Sequence, residues 1–258
     1  MNIVVCVKYV PDAQADLRFS GDNTTDRAGV DGLLSELDEY AVEEALKIAE
    51  ASDGKVTVLT VGPEKATEAV RKALQMGAHE AVHVVDDAIH GSDAPATSLV
   101  LAAAIGRLEH DLVITGMAST DGIMSVVPAM LAERLNLPQV TMASEVTVES
   151  GTVRIRRDGD TSTEIIESSL PAVVSVTDQI NEPRYPSFKG IMAAKKKPLQ
   201  TWSLADLGID AGDVGLAAAW TTVDEITARP PRQAGKIVTD EGDGGNKLVE
   251  YLAGAKLV

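Results

Sequence analysis

A stretch of small and polar residues near the middle of the chain is the best candidate for ligand binding. Residues 111–115 (DLVIT) are typical of a buried strand, and residues 116–127 (GMASTDGIMSVV) follow directly, ahead of a helical pattern. Small residues at such a junction let backbone N–H groups approach a phosphate at the helix N-terminus. The chain has no GxGxxG or GxxxxGK[ST] motif, so the pattern by itself is equally that of an ordinary strand–helix connection.

The histidines do not indicate a catalytic or metal site. His79 and His83 are four residues apart, but they fall across the end of a helical pattern and the start of a strand. No second set of metal-binding residues accompanies them, and no nucleophile elbow is present. We therefore predict no catalytic residue, no metal site and no enzymatic activity of the chain itself.

A second candidate for function is an apolar residue in a polar loop. After the run LPAVV, the segment NEPRYPSFKGIMAAKKK carries Phe188 between Ser187 and Lys189. Pro183 and Pro186 stiffen this loop. A Phe held there could anchor a partner protein, whereas most Phe side chains pack into a core. The lysines at 195–197 fit either docking or a solvated helix face.

Composition narrows the class of protein. The chain has 258 residues, a net charge of −16 and a pI near 4.6, which argues against binding to nucleic acid or to an anionic membrane surface. Its one cysteine, Cys6, gives no disulfide framework. No stretch has membrane-spanning length, and the start has no secretory pattern. We expect a cytoplasmic protein without membrane insertion.

The hydrophobic periodicity predicts an α/β fold. Strand-like apolar runs alternate with helical patterns at 36–51, 64–76, 94–108 and 125–135. This alternation is typical of a Rossmann-like, mostly parallel, doubly wound sheet of the adenine-nucleotide-binding type. Residues 145–168 show period-two alternation around turns, which predicts a small antiparallel hairpin region. We predict one α/β domain over 1–198 and, because core-forming pattern becomes sparse, an extended C-terminal arm over 199–258.

The order LPAVV, NEPRY and IMAAKKK within residues 170–198, together with AVEEALKI at 41–48, resembles the β subunit of electron transfer flavoproteins. The resemblance covers about residues 1–240. It implies an electron carrier subunit without catalytic residues of its own, paired with an α subunit that holds most of the FAD. It also implies that residues 199–258 wrap the α subunit, with residues 230–235 matching a PPxRxAG-like segment in type.

The resemblance further implies that the β subunit binds a structural AMP at strand ends. Carried over by position, the AMP contacts are Cys6, Ser35, Glu36, Leu37, Asp38, Val61, Gly116, Met117, Ala118, Ser119, Thr120, Asp121, Gly122, Ile123, Met124, Ser125, Val126 and Val127. Many members have D, T, G and Q at positions 123–126, where this chain has Ile, Met, Ser and Val. Backbone N–H groups or Ser125 would have to replace the lost side-chain donors. A second FAD stays an alternative ligand of this pocket, because bifurcating relatives bind one there.

The same resemblance implies a recognition loop at 181–198 that docks acyl-CoA dehydrogenase-type flavoproteins, with electrons passing on to an electron transfer flavoprotein–quinone oxidoreductase in fatty acid oxidation. The implied docking residues are Glu182, Arg184, Tyr185, Pro186, Ser187, Phe188, Lys189, Gly190, Ile191, Met192, Lys195, Lys196 and Lys197. The rival interpretation is a stand-alone adenine-nucleotide-binding α/β protein of the ATP-pyrophosphatase or stress-protein type. Such a protein would have no need of a long unpatterned tail.

Overall fold

The fold is described from a computed structural model that covers residues 1–231, 233, 235 and 237–258. The strands are β1 (Asn2–Cys6), β2 (Tyr9–Pro11), β3 (Gly32–Leu34), β4 (Lys55–Val61), β5 (Glu80–Val84), β6 (Leu112–Gly116), β7 (Gln139–Ala143), β8 (Glu145–Glu149), β9 (Thr152–Asp158), β10 (Thr163–Ser169), β11 (Ala172–Val176) and β12 (Leu199–Trp202). The helices are α1 (Glu36–Ser52), α2 (Thr67–Met76), α3 (Ala94–Ile105), α4 (Val127–Leu135), α5 (Phe188–Ala194), α6 (Leu204–Leu207), α7 (Gly215–Ala218) and α8 (Gly244–Gly254).

Seven parallel strands form the central sheet in the order β12-β5-β4-β1-β6-β11-β7. The chain runs outward from β1 through β4 to β5 and then returns to β6 on the other side of β1. Strand order thus reverses between β1 and β6, where Cys6 is paired with Thr115. In open α/β sheets, ligands bind at the carboxyl ends of the strands at such a reversal. The predicted fold class is confirmed.

Helices cover both faces of the sheet, which explains why the central strands are apolar throughout. One core contains the apolar side chains of α1 and α2 with alternate residues of β1, such as Ile3 and Val5. The other contains those of α3 and α4 with Val4 and Cys6. Both faces of β1 are therefore buried, and its carboxyl end is held in a fixed position.

The predicted antiparallel region is also confirmed. Strands β8, β9 and β10 form a separate three-stranded sheet in the order β10-β9-β8. Val153 and Ile155 of β9 are buried in the same core as α1 and α2. The chain then returns to the main sheet as β11, between β6 and β7.

The α/β domain was predicted to end at residue 198, but the compact unit extends further along the chain. Strand β12 pairs in parallel with β5 at the edge of the main sheet, and Leu204 and Val214 are buried in its core. The chain divides into one compact unit over Met1–Val223 and a second over Asp224–Val258. Strand β12 was missed because LQTW is short and only half buried, so it carries no clear apolar pattern.

Among its described residues, the second unit has one helix, α8, on which Leu248, Val249 and Tyr251 are exposed. Within residues 230–235, Arg232 and Ala234 lie outside the described residues, as does Lys236. No helix in the described part of the chain is long and apolar enough to cross a membrane.

Candidate functional site

The ends of three neighbouring strands meet where the sequence predicted a ligand. Cys6, Val61 and Gly116 close β1, β4 and β6, which are adjacent in the sheet. Cys6 is buried, and burial, followed by the nearby charge of Asp38, raises the pKa of its thiol to about 12. The thiol is therefore protonated at neutral pH, so it is an apolar packing group and does not act as a nucleophile.

The start of α1 lies over these strand ends. The Asp38 carboxylate is buried and accepts the Lys8 backbone N–H at 2.8 Å. Burial raises the pKa of Asp38 to about 7, although the hydrogen bond from Lys8 opposes this. A Cβ atom at Gly116 would lie 2.6 Å from Asp38 Oδ1 and 2.8 Å from the Leu37 carbonyl oxygen. Only glycine lets α1 and the end of β6 approach so closely.

Ser35, just before α1, carries a polar atom without a protein partner. Its side chain is fully buried, and its hydroxyl has no hydrogen bond within the described residues. Leaving a buried hydroxyl unsatisfied costs about 1–3 kcal/mol, so a water or a ligand atom is expected there. This unpaired hydroxyl fits a polar ligand at the strand ends. Glu36 is exposed and Leu37 half-buried at the same turn.

The loop after β6 is fastened through Asp121. Its carboxylate, 8% exposed, accepts hydrogen bonds from Lys8 Nζ at 2.8 Å and Arg27 Nη2 at 2.5 Å. Burial opposes ionisation of this carboxyl, but the two cations outweigh burial and hold its pKa well below its usual range. One carboxylate thus joins the end of β1, the 12–31 connection and the β6–α4 loop.

The rest of this loop presents its backbone rather than its side chains. Ser119 Oγ accepts the Gly122 N–H at 3.1 Å, and Ile123 and Ser125 have positive φ of 57° and 56°. Glycine adopts this left-handed conformation without steric cost, whereas Ile123 and Ser125 adopt it with a side chain. Ile123 and Met124 are 74% and 67% exposed. Helix α4 starts after Val126 without a side-chain cap and with Pro128 in its first turn, so the N–H groups of Val127 and Ala129, on either side of that proline, are available to an acceptor.

We call the carboxyl ends of β1 and β6, the start of α1 and the 117–126 loop the strand-end site. The structure brings the predicted ligand residues of β1, α1 and β6 together there, with Val61 at the neighbouring strand end. Lys8 and Arg27 are the members that sequence reasoning missed. Lys8 was detectable in part, since it lies two residues beyond β1. Arg27 carries no local signal, since 94 residues separate it from Asp121.

The second candidate site is the docking segment, residues 181–197, and its first half is tied to α1. Arg184 donates to Glu43 Oε2 at 2.7 Å and to Glu50 Oε1 at 2.6 Å, and the Glu43 side chain is 5% exposed. Asn181 Nδ2 donates to the Tyr40 carbonyl oxygen and to Glu44 Oε2, each at 3.1 Å. The Arg184 guanidinium holds the segment to α1, and its predicted contact with a partner protein stays a prediction.

The second half of the docking segment is fixed to α2. Ser187 caps α5 by accepting the Gly190 N–H at 3.0 Å, and Gly190 packs against the Gln75 carbonyl oxygen. Lys197 Nζ donates to the carbonyl oxygens of Leu74 at 2.9 Å and Gly77 at 3.0 Å, at the end of α2. The Lys197 ammonium group therefore caps α2, and its predicted role in docking stays a prediction.

This rigid segment projects an apolar surface. Phe188 is the first residue of α5 and is 81% exposed, and Tyr185 is 92% exposed. Ile191 and Met192 follow at 37% and 48% exposed. Phe188 therefore does not pack into the core, as most Phe do. The other predicted docking residues lie around it: Glu182, Lys189, Lys195 and Lys196 are exposed, and Pro186 is half-buried.

Comparison with known proteins agrees with this fold. Residues 22–207 match the family model described as the electron transfer flavoprotein domain. The chain is 50% identical over 264 residues to the electron transfer flavoprotein subunit beta of Mycobacterium tuberculosis, covering 100% of this chain and 99% of that protein. It is 36% identical over 239 residues to the same subunit of Clostridium acetobutylicum, covering 92% of each.

A further relative is the caffeyl-CoA reductase-Etf complex subunit CarD of Acetobacterium woodii, 36% identical over 241 residues, covering 93% of this chain and 92% of that protein. The fold and these matches define a subunit that takes part in electron transfer. The chain belongs to the electron transfer flavoprotein family, among its β subunits. Subunits of this kind pair with an α subunit, and the complex is associated with flavin.

Proposed function

We propose that the chain is the β subunit of a heterodimeric, cytoplasmic electron carrier that binds AMP, supports an FAD-bearing α subunit and docks acyl-CoA dehydrogenase-type flavoproteins. Electrons from fatty acid oxidation then pass to an electron transfer flavoprotein–quinone oxidoreductase. The observation that carries this proposal is Phe188, 81% exposed at the start of a helix whose base is held by α1 and α2.

The docking role is supported by the energetics of an apolar anchor. Burying a Phe side chain in a partner's pocket contributes about 1.5–3 kcal/mol. The Arg184–Glu43 ion pair and the Ser187 cap order the segment in advance, so little conformational entropy is lost on binding. One anchor on a small surface suits a carrier that must leave its partner quickly.

Local charge supports the same proposal. The exposed cations Lys189, Lys195 and Lys196 lie at the start and just beyond the end of α5, in the same segment as Phe188, on a chain whose net charge is −16. A positive patch on an otherwise acidic protein speeds encounter with an acidic partner surface and orients it. Tyr185 and Met192 extend the apolar contact around the anchor.

An AMP at the strand-end site is supported by the reversal in strand order, the unpaired Ser35 hydroxyl and the uncapped start of α4. Backbone N–H groups of the β6–α4 loop would meet the phosphate, since Ile123 and Met124 point to solvent. The FAD, held mainly by the α subunit, supplies the redox chemistry when it is bound. The residues of this chain would bind the AMP, support the α subunit and dock the dehydrogenase.

The unit Asp224–Val258 is proposed to contact the α subunit. It has no buried core of its own in the described residues, and α8 exposes Leu248, Val249 and Tyr251 along one side. An amphipathic helix of this kind stabilises a complex when its apolar side is covered by a partner.

The test is to co-express the chain with the product of its neighbouring α-like gene, purify the complex, denature it and identify the released nucleotides by mass. One FAD and one AMP per heterodimer support the proposal. Two FAD per heterodimer would replace AMP by a second flavin in the strand-end site. No partner, with a nucleotide on this chain alone, would overturn the proposal in favour of a stand-alone nucleotide-binding protein.

A further inference from the structure

The ligand residues predicted for the strand-end site lack positive charge. Among these predicted residues, the only carboxylates are those of Glu36, Asp38 and Asp121, and none of the residues is Lys or Arg. A nucleotide monophosphate carries roughly 1.5 to 2 negative charges at neutral pH. Ionised carboxylates alone would repel this group, and a cation from elsewhere in the chain would stabilise it alongside the backbone N–H groups of the 116–127 loop.

The structure supplies two cations at this place. Lys8 Nζ and Arg27 Nη2 lie 2.8 Å and 2.5 Å from the two carboxylate oxygens of Asp121. The three side chains together carry a net charge of about +1, taking the usual charge state of each group. Since Asp121 begins the run 121–127 that leads to α4, this charge lies beside the loop predicted to receive the phosphate.

Both cations keep hydrogen-bonding capacity. Besides Asp121, Lys8 Nζ makes only a long contact to Ser119 Oγ at 3.4 Å, and Arg27 only one to the Tyr9 carbonyl oxygen at 3.5 Å, within the described residues. Their side chains are 40% and 31% exposed. Ammonium and guanidinium groups have further N–H donors beyond these, and both side chains are partly exposed to solvent.

Asp121 also fixes where these donors point. Because its carboxylate holds both side chains, their rotamer entropy is lost on folding rather than on ligand binding. Charge-assisted hydrogen bonds from Lys and Arg are the strong contacts by which proteins hold phosphate. A carboxylate between two cations therefore serves as a template for a phosphate site rather than as an obstacle to it.

We infer that Lys8 and Arg27, held by Asp121, contact the phosphate at the strand-end site and make it select a phosphorylated adenine nucleotide over adenosine. The inference rests on the proposed nucleotide site and adds its phosphate-binding residues.

The experiment uses the α–β heterodimer, stripped of nucleotide in denaturant and refolded, with AMP and adenosine as probes in calorimetric titrations. Arg27→Gln and Lys8→Gln should each lower AMP affinity about tenfold or more, while adenosine affinity changes less than about threefold. The AMP affinity of both variants should also depend less on salt. Lys8→Arg, which keeps the charge, should retain most of the AMP affinity.

Arg156→Gln is the matched control, since its ion pairs with Glu145 and Asp158 lie in the β8–β10 sheet, and both affinities should stay unchanged. The inference is overturned if AMP affinity is unaltered in the Lys8 and Arg27 variants, or if AMP and adenosine affinities fall equally, which would make the cluster only a structural tie. Wild-type heterodimer that binds neither compound would instead overturn the proposed nucleotide site itself.

Discussion

The strand-end site and the docking segment are held in place in the same way, but one presents polar groups and the other presents an apolar side chain. In each, a carboxylate of low exposure holds a cation from a distant part of the chain: Asp121 holds Lys8 and Arg27, and Glu43 holds Arg184. The first arrangement keeps polar groups at a crevice between strands. The second supports a helix that turns Phe188 to solvent. An ion pair of this kind specifies geometry, and the neighbouring side chains specify what is bound.

The two regions also differ in backbone conformation. The β6–α4 loop has two non-glycine residues of positive φ, Ile123 and Ser125, a conformation that costs free energy and is retained where backbone groups must converge. The docking segment instead follows ordinary helix rules, with Ser187 as cap of α5. The proposed phosphate site would use several backbone donors, whereas the proposed docking surface would use one apolar side chain on a fixed helix.

The buried carboxyl group of Asp38 gives the largest effect that is specific to the strand-end site. Burial raises its pKa from 3.8 to about 7, so the folded state binds more protons than the unfolded state between these values. The free energy of unfolding should therefore fall as pH rises from about 4 to about 7, by on the order of 3 kcal/mol. Chemical denaturation at several pH values should show that Asp38→Asn removes this fall.

Asp160→Asn, on an exposed turn of the β9–β10 hairpin, is the control and should keep the wild-type pH profile. Parallel profiles for wild type and Asp38→Asn would mean that Asp38 is not the group responsible. Docking through Phe188 should be equal in both proteins at any pH where they are folded.

Close packing at Gly116 gives a second test. The Cβ of Gly116→Ala would press on Asp38 and on the Leu37 carbonyl oxygen, so the free energy of unfolding should fall by about 2 kcal/mol, with loss of bound nucleotide. Gly21→Ala, where no atom lies within 4 Å of the added Cβ, should change neither. Wild-type stability in the Gly116 variant would show that α1 and β6 can separate without cost.

Removing the tie of the docking segment should have a smaller effect on stability. Arg184→Met leaves the Glu43 carboxylate buried without its cation, at a cost of about 1–2 kcal/mol in unfolding free energy. It should slow reduction by dehydrogenases and leave nucleotide content unaltered. Arg154→Met breaks an ion pair to Glu167 in which both side chains are more than half exposed, and should cost less than about 0.5 kcal/mol.

If Arg184→Met reduced the nucleotide content as strongly as the rate of reduction by dehydrogenases, the two regions would be coupled rather than separate. The comparison of rates and nucleotide content in the same preparation decides between these outcomes.

Much of the fold follows from local pattern. The buried strands β1, β4 and β6 are continuous apolar runs, and α1 shows helical spacing with acidic residues in its first turn. Besides the missed strand β12, the starts of two helices differ from the prediction, because the apolar pattern does not mark them. Helix α4 begins at Val127, not at residue 125, because Ser125 is left-handed. Residues 64–66 form a 3₁₀ turn before α2.

The sites were predictable only in part. The 116–127 loop follows from the strand that precedes it, whereas the polar neighbours of Phe188 favoured an exposed position but left a core position open. The contacts that fix the two sites do not follow from local pattern, because Lys8 and Asp121 are 113 residues apart and Arg184 and Glu43 are 141 residues apart. Such pairs depend on strand order and helix placement, which periodicity does not give.

The most direct measurement is the second-order rate at which a substrate-reduced acyl-CoA dehydrogenase reduces the FAD of the heterodimer, by stopped flow. Phe188→Ala should lower this rate about tenfold or more, with nucleotide content and unfolding free energy unchanged. The control is Phe19→Ala, which removes the other Phe of the chain, 55% exposed, and should keep the wild-type rate. An unchanged rate in Phe188→Ala would contradict the proposal that Phe188 is the docking anchor.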